Sequence, residues 1–232
     1  MSVTKCKNCK TSLPGQADYC PACGQSVKSI TRPWLDVTRE VLTELFDFDG
    51  RMLISLRLLL TRPGFLSHEY INGRRATYTS PVRMYLVISL VFFFVLPLIL
   101  PESAGTSPTH EFSSDLYSQA MFILLPLFAL LLKIFYRKTF YTAHLIFTVY
   151  LFAVTFIVYA AILSIETVAD RYLAVMLLQL VFLLYWMVYF IVALHVNYQQ
   201  GWPGSILKAL LLLLLFLPII AGSIELASHV QT

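Results

Sequence analysis

The chain has 232 residues, 58% of them hydrophobic and 13% charged, with a formal net charge of +4. An average soluble domain carries about 25% charged residues, so a water-surrounded globule is excluded for the chain as a whole. Leu-, Phe- and Tyr-rich runs dominate from residue 82 onward, and several approach the ~20 residues that cross a bilayer. The first 33 residues are polar and lack the apolar stretch and small-residue cleavage site of a signal peptide. That predicts an N-terminus that stays in the cytoplasm.

All four cysteines lie in residues 1–25, as Cys6-x-x-Cys9 and Cys20-x-x-Cys23 with ten residues between the pairs. Each pair can present two thiolates from one tight turn, and two such knuckles complete a tetrahedral sulfur shell of the kind zinc prefers. Gly24 can take the left-handed turn that aims backbone amides at sulfur, and Lys5, Lys7 and Lys10 offset part of the thiolate charge. A piece this small has almost no core, so the metal must supply its folding free energy. Two disulfides would need an oxidising compartment. A thioredoxin-like redox pair would need a strand-helix context, and iron is the other metal this ligand set admits. The expected cofactor is one structural Zn2+ in a zinc ribbon, held by Cys6, Cys9, Cys20 and Cys23. A closed four-sulfur shell leaves no position open for substrate.

Residues 26–33 read as a linker. Residues 34–46 read as an amphipathic helix, with Trp34, Val37, Val41, Leu42, Leu45 and Phe46 at helical spacing. Residues 51–60 form a second short apolar helix, ended by Arg62-Pro63-Gly64. A third helix near 65–72 stops at Gly73. These helices are too short to span and are expected at the membrane interface. Spans are expected near 82–100, 117–136, 142–165, 172–196 and 204–225. Pro97, Pro126 and Pro218 sit in or near their ends, where membrane helices tolerate them. The predicted fold is an all-α integral membrane helical bundle of about five spans with a small N-terminal zinc ribbon. Its predicted parts are 1–25 (ribbon), 26–81 (linker and interfacial helices) and 82–227 (bundle).

Charge sets the orientation, because Lys and Arg favour the cytoplasmic side. Of 17 basic residues, 12 precede residue 84; Lys133, Arg137, Lys138 and Lys208 follow on loops of the same side, and Arg171 alone falls opposite. The expectation is a multi-pass protein of the inner, cytoplasmic membrane, with the N-terminus inside and the C-terminus outside.

Just before the first span, Arg62, Arg74, Arg75 and Arg83 alternate with Tyr70, Tyr78 and Tyr85. Arginine and tyrosine suit headgroup depth. Arg62, Arg74, Arg75, Tyr78 and Arg83 are therefore candidate contacts for anionic lipid headgroups, beside the simpler reading of a positive-inside anchor. The cysteine knuckles, Pro63-Gly64, Glu69-Tyr70-Ile71-x-Gly73-x-Arg75-x-x-Tyr78-x-x-Pro81 and Tyr85-Leu86, and then Tyr141-x-x-His144-Leu145-x-Phe147, follow in that order. Together they resemble the bacterial membrane family catalogued as domain of unknown function 3667. Ala143 stands where that family usually has an acidic residue before the histidine. The resemblance implies the ribbon-plus-spans architecture and no activity.

Polar residues at membrane depth are functional candidates. His68, Glu69, His144 and His195 fall near the cytoplasmic ends of their helices and form a candidate polar site, for a second metal or for proton handling. Each has a simpler use in a hydrogen bond to a carbonyl or water. Gln179 lies mid-span and suits an interhelical hydrogen bond, and Lys133 suits snorkelling. The span centres hold no Asp, Glu or Arg, which argues against a proton-coupled carrier or ion pump. No phosphate-binding loop, nucleophile elbow or H-E-x-x-H helix occurs, so no catalytic residue is assigned. Expected partners are the bilayer, anionic lipid and a cytoplasmic protein; nucleic acid is disfavoured because the ribbon has few stacking aromatics. The reading of function is a zinc-ribbon binding or scaffold module anchored by the bundle. The competing readings are a transporter, channel or lipid-handling protein, and an intramembrane enzyme.

Overall fold

The computed structural model describes residues 5–14, 17–27, 50–99, 123–168 and 173–229. The helix expected at 34–46 and the connection at 101–115 lie outside them. The described residues form α1 (Gly50–Thr61), α2 (Phe65–Ile71), α3 (Pro81–Ile99), α4 (Ile123–Phe135), α5 (Tyr141–Val168), α6 (Leu173–Tyr198) and α7 (Trp202–His229). Among them the only extended pairing is two isolated bridges in the cysteine module.

Local chemistry sets the boundaries of the short helices. Pro63 disfavours helical geometry at the residue before it, and Gly64 turns the chain with φ 74° before α2 starts. The last carbonyls of a helix lack internal partners. In α1 two of them accept tyrosine hydroxyls from α6: Tyr189 donates to Leu59 O at 2.8 Å and Tyr185 to Leu60 O at 2.7 Å. α2 closes in a Schellman arrangement. Arg74 N–H reaches Glu69 O at 3.0 Å and Gly73 N–H reaches Tyr70 O at 3.1 Å, with Gly73 at φ 95°.

α3 packs along α5, α5 along α6 and α6 along α7, while α1 and α2 lean on α5 and α2 also on α6. The interfacial helices are therefore seated on the bundle. Leu59 and Leu66 are buried, and Gly64 lies directly against Ala193 of α6. Phe128 of α4 ties four helices together through Phe152, Phe190 and Phe216. Phe92 and Phe93 meet Phe156 between α3 and α5. The aromatic runs in the sequence are thus largely core residues.

Three helices are long and apolar enough to cross a membrane: Tyr141–Ile165, Leu173–Tyr198 and Trp202–Ile220. They match three of the five expected spans. The other two correspond to apolar helices that are shorter within the described residues, Pro81–Val95 and Ile123–Phe135. Leu177, Val181 and Leu184 on α6, and Leu207, Leu214 and Leu217 on α7, are exposed, as lipid-facing side chains must be.

Candidate functional site

The cysteine module is built from two copies of one turn. Lys10 N–H bonds Cys6 O at 3.0 Å and Gly24 N–H bonds Cys20 O at 2.8 Å. One short antiparallel bridge closes each copy, Lys5 with Ser12 and Tyr19 with Ser26. The fourth residue after each leading cysteine is left-handed: Gly24 at φ 70°, as its type suggests, and Lys10 at φ 65°. In each copy backbone N–H groups two and three residues on aim at the leading sulfur, those of Asn8 and Cys9 at Cys6 and those of Ala22 and Cys23 at Cys20.

The four Sγ atoms lie within 4.8 Å of one another. Cys6 and Cys23 are 3.7 Å apart and Cys9 and Cys20 3.6 Å. A disulfide needs about 2.05 Å, and all four cysteines are free. A metal–sulfur distance of about 2.3 Å implies tetrahedral sulfur–sulfur edges of about 3.8 Å, so the donor set fits a four-coordinate ion. The sulfurs differ when metal-free. The Thr11 hydroxyl and N–H hold the Cys9 thiol down at about 6. The Cys9 N–H, followed by that of Asn8, lowers Cys6. Burial pushes Cys20 up to about 11. A dication is therefore what would bring all four to thiolate together.

The module sits on the loop between α2 and α3. Gln25, two residues after the second knuckle, donates from Nε2 to Gly73 O at 2.6 Å. Its Oε1 accepts from the N–H of Arg75 at 3.1 Å and of Ala76 at 3.4 Å. From the first knuckle, Asn8 Oδ1 accepts the Thr77 hydroxyl at 2.8 Å, and Lys7 lies over Gly73. The loop is fixed from below as well. Thr79 N–H donates to Ser55 Oγ at 3.0 Å, and Tyr150 OH donates to Thr79 O at 2.9 Å. A continuous set of contacts thus runs from the sulfurs to the α1 and α5 core.

Residues 49–93 match the family described as a protein of unknown function, DUF3667. Over these residues the chain is similar to that family. In this fold the matched segment comprises α1, α2, the loop that seats the cysteine module, and most of α3. No curated protein and no solved structure matches the chain.

The residues expected at lipid headgroups are largely engaged within the matched segment. Arg74 pairs with Glu69 at 2.6 Å. Arg75 lies over the Tyr70 ring at 5.6 Å and Arg62 over Phe65 at 5.6 Å. Tyr78 packs edge-on to Phe65. Arg83 departs furthest from the expectation: it is 4% exposed, with Nε and Nη2 unpartnered. It falls on the face of α3 that also buries Met84 and Tyr85, and a buried guanidinium cannot meet a headgroup at the surface.

The polar set His68, Glu69, His144 and His195 is not gathered into one ligand group among the described residues. Among the described residues the cysteines alone gather three or more His, Cys, Asp or Glu ligand atoms. Glu69 is taken by Arg74. His144 Nδ1 is 2.7 Å from Tyr198 OH, and His195 stacks on Trp202 at 4.1 Å. His68 faces a cavity of about 840 Å3 that also meets the α4–α5 and α6–α7 turns. Lys133 donates to Arg137 O and Thr139 O, fixing the α4–α5 turn. Nothing in the sequence marked Gln25 or Asn8, whose role is set by docking.

Proposed function

We propose that this is a multi-span inner-membrane protein whose zinc-held knuckles form a binding or scaffold module fixed at the cytoplasmic face. The observation that carries this is the three-point bonding of Gln25 to Gly73, Arg75 and Ala76. A freely tethered module would not share hydrogen bonds with the loop leading into α3. A docked one presents a rigid surface at fixed height and angle over the membrane, which is what a recruiting platform needs. Five spans with the N-terminus inside agree with the gathering of Lys133, Arg137, Lys138 and Lys208 at one end of the bundle. That is the end where α4 and α6 finish and α5 and α7 begin.

Cys6, Cys9, Cys20 and Cys23 would hold the ion, and its chemistry there is structural. The knuckle amides spread the sulfur charge, and the lysines of the first knuckle balance it.

The test uses the full chain in membranes. Purified protein should carry one zinc per chain, and Cys20→Ser should abolish the metal while membrane insertion and yield hold. Proteins crosslinked at the cytoplasmic face should then be lost from Cys20→Ser and retained by Lys138→Gln at equal membrane level. Metal-free purified protein, or an identical crosslinking pattern with and without the site, would refute the proposal.

A further inference from the structure

We propose that the cavity at the charged end of the bundle binds the phosphate of an anionic glycerophospholipid headgroup. The cavity, about 840 Å3, lies within the roughly 300–1,000 Å3 of small-ligand sites. Arg137 and Lys138 enter its wall from the α4–α5 turn, Lys208 from α7 and His68 from α2, and among the described residues no Asp or Glu lines it. Three cations around one concavity, with no carboxylate among the described residues of its wall, leave a positive potential that an anion relieves.

Lys208 is the best-placed donor. Its Nζ is half-shielded, lies 4.1 Å from the Tyr136 ring centre and makes one long bond of 3.4 Å to Phe135 O. An ammonium has three protons to give, so it has capacity left for a ligand oxygen. Asn197, also in the wall, has a buried amide oxygen with no partner. That acceptor calls for a donor beside the anion, such as a headgroup hydroxyl. Ile134 lines the same cavity and is 56% exposed on the outer face of α4, so an acyl chain could leave the site along apolar surface. A phosphate with adjacent hydroxyls and an apolar tail describes phosphatidylglycerol-like lipid better than a free anion. None of these residues touches the cysteine module in the contacts described above, so the site stands or falls apart from the metal.

The experiment is native mass spectrometry of the full-length, metal-loaded protein in detergent. It is titrated with phosphatidylglycerol, phosphatidylcholine or glycerol phosphate. The wild type should retain one phosphatidylglycerol in preference to phosphatidylcholine. Lys208→Gln and the double variant Arg137→Gln/Lys138→Gln should each weaken retention roughly tenfold or more, in keeping with loss of a charge-assisted bond. Lys208→Arg should retain most of it, which separates charge recognition from a packing role. Arg57→Gln, an exposed cation on α1 outside the cavity, should leave binding unchanged. Equal weakening by Arg57→Gln and Lys208→Gln would mean diffuse surface attraction and overturn the site. Binding of glycerol phosphate with no lipid preference would overturn the lipid assignment. So would equal retention of phosphatidylcholine.

Discussion

Gly64→Ala tests the seat of the α1–α2 turn on α6. Gly64 has φ 74°, and a Cβ there would lie 2.6 Å from Ala193 O and 2.9 Å from Ala193 Cα. The left-handed backbone costs an L-residue about 1–2 kcal/mol. Both obstructing atoms are backbone, so relief requires α2 and α6 to move apart, an overpacking cost of about 1–3 kcal/mol. The reduced freedom of the unfolded chain returns about 0.4–1 kcal/mol. The expected net loss is about 2–4 kcal/mol, read as a lowered midpoint of unfolding in detergent. Ala193→Gly should not rescue it, because the clash is with Cα and O rather than Cβ. Gly24→Ala is the matched control, with φ 70° but nothing within 4 Å of the added carbon. It should cost the backbone share only, read as weaker metal retention. A Gly64→Ala protein as stable as wild type would refute the close approach of the α1–α2 turn to α6.

Other expectations follow from single contacts. Gln25→Leu leaves a carbonyl and two N–H groups of the loop without their partner, and should cost about 1–3 kcal/mol of docking. Faster amide exchange at residues 73–77 with metal still bound is the expected reading, and unchanged exchange would contradict the docking. Tyr189→Phe uncaps Leu59 O in a buried setting and should lower stability by about 1–2 kcal/mol, whereas no change would mean that water replaces the hydroxyl. The Cys9 thiol is held down at about 6 by Thr11, below its ordinary value. Its ionisation therefore favours the folded module at alkaline pH, and that contribution is lost as pH falls through about 6. Because each thiolate must give up its metal to take a proton, metal affinity should fall as the pH is lowered, measured with a chromophoric chelator. Retention independent of acid would exclude thiolate ligation.

The four-cysteine cluster was legible because its information is local: two Cys-x-x-Cys turns fix four donors and even the amide directions. The long apolar runs of α5, α6 and α7 were legible for the same reason, since lipid leaves a helix no alternative. The turn at Pro63-Gly64 and the stop at Gly73 were legible because proline and glycine act on their own backbone. What the sequence could not show is which partner a polar side chain meets. Arg83 reads as one more member of a basic collar, yet in the fold it is buried. Glu69 and His144 read as one polar site, but the pairings Glu69–Arg74 and His144–Tyr198 depend on the cap of α2 and on antiparallel packing of α5 and α6. The cavity cations share the same limit. Arg137 and Lys208 are 71 positions apart in sequence, and only the return of α7 beside α4 brings them to one wall.

The docking also limits how strongly metal can act on the bundle. Zinc binding in isolated fingers releases roughly 10–16 kcal/mol, and this is largely spent in folding the knuckles. Only the contacts between module and loop can carry any of it further. Those described include three hydrogen bonds of Gln25 and one of Asn8, each worth about 1 kcal/mol net. Through these bonds metal loading should raise the stability of the helical part by up to about 4 kcal/mol. Linkage is reciprocal, so a rearrangement of the 73–79 loop that broke these bonds would weaken metal binding by the same factor. Comparing detergent unfolding of the loaded protein with that of Cys20→Ser measures the term directly. A difference well beyond that ceiling would mean that the module grips the bundle through contacts other than these. No difference at all would mean that the loop holds its shape without the module, through groups of the helical part such as Arg51, Ser55 and Tyr150.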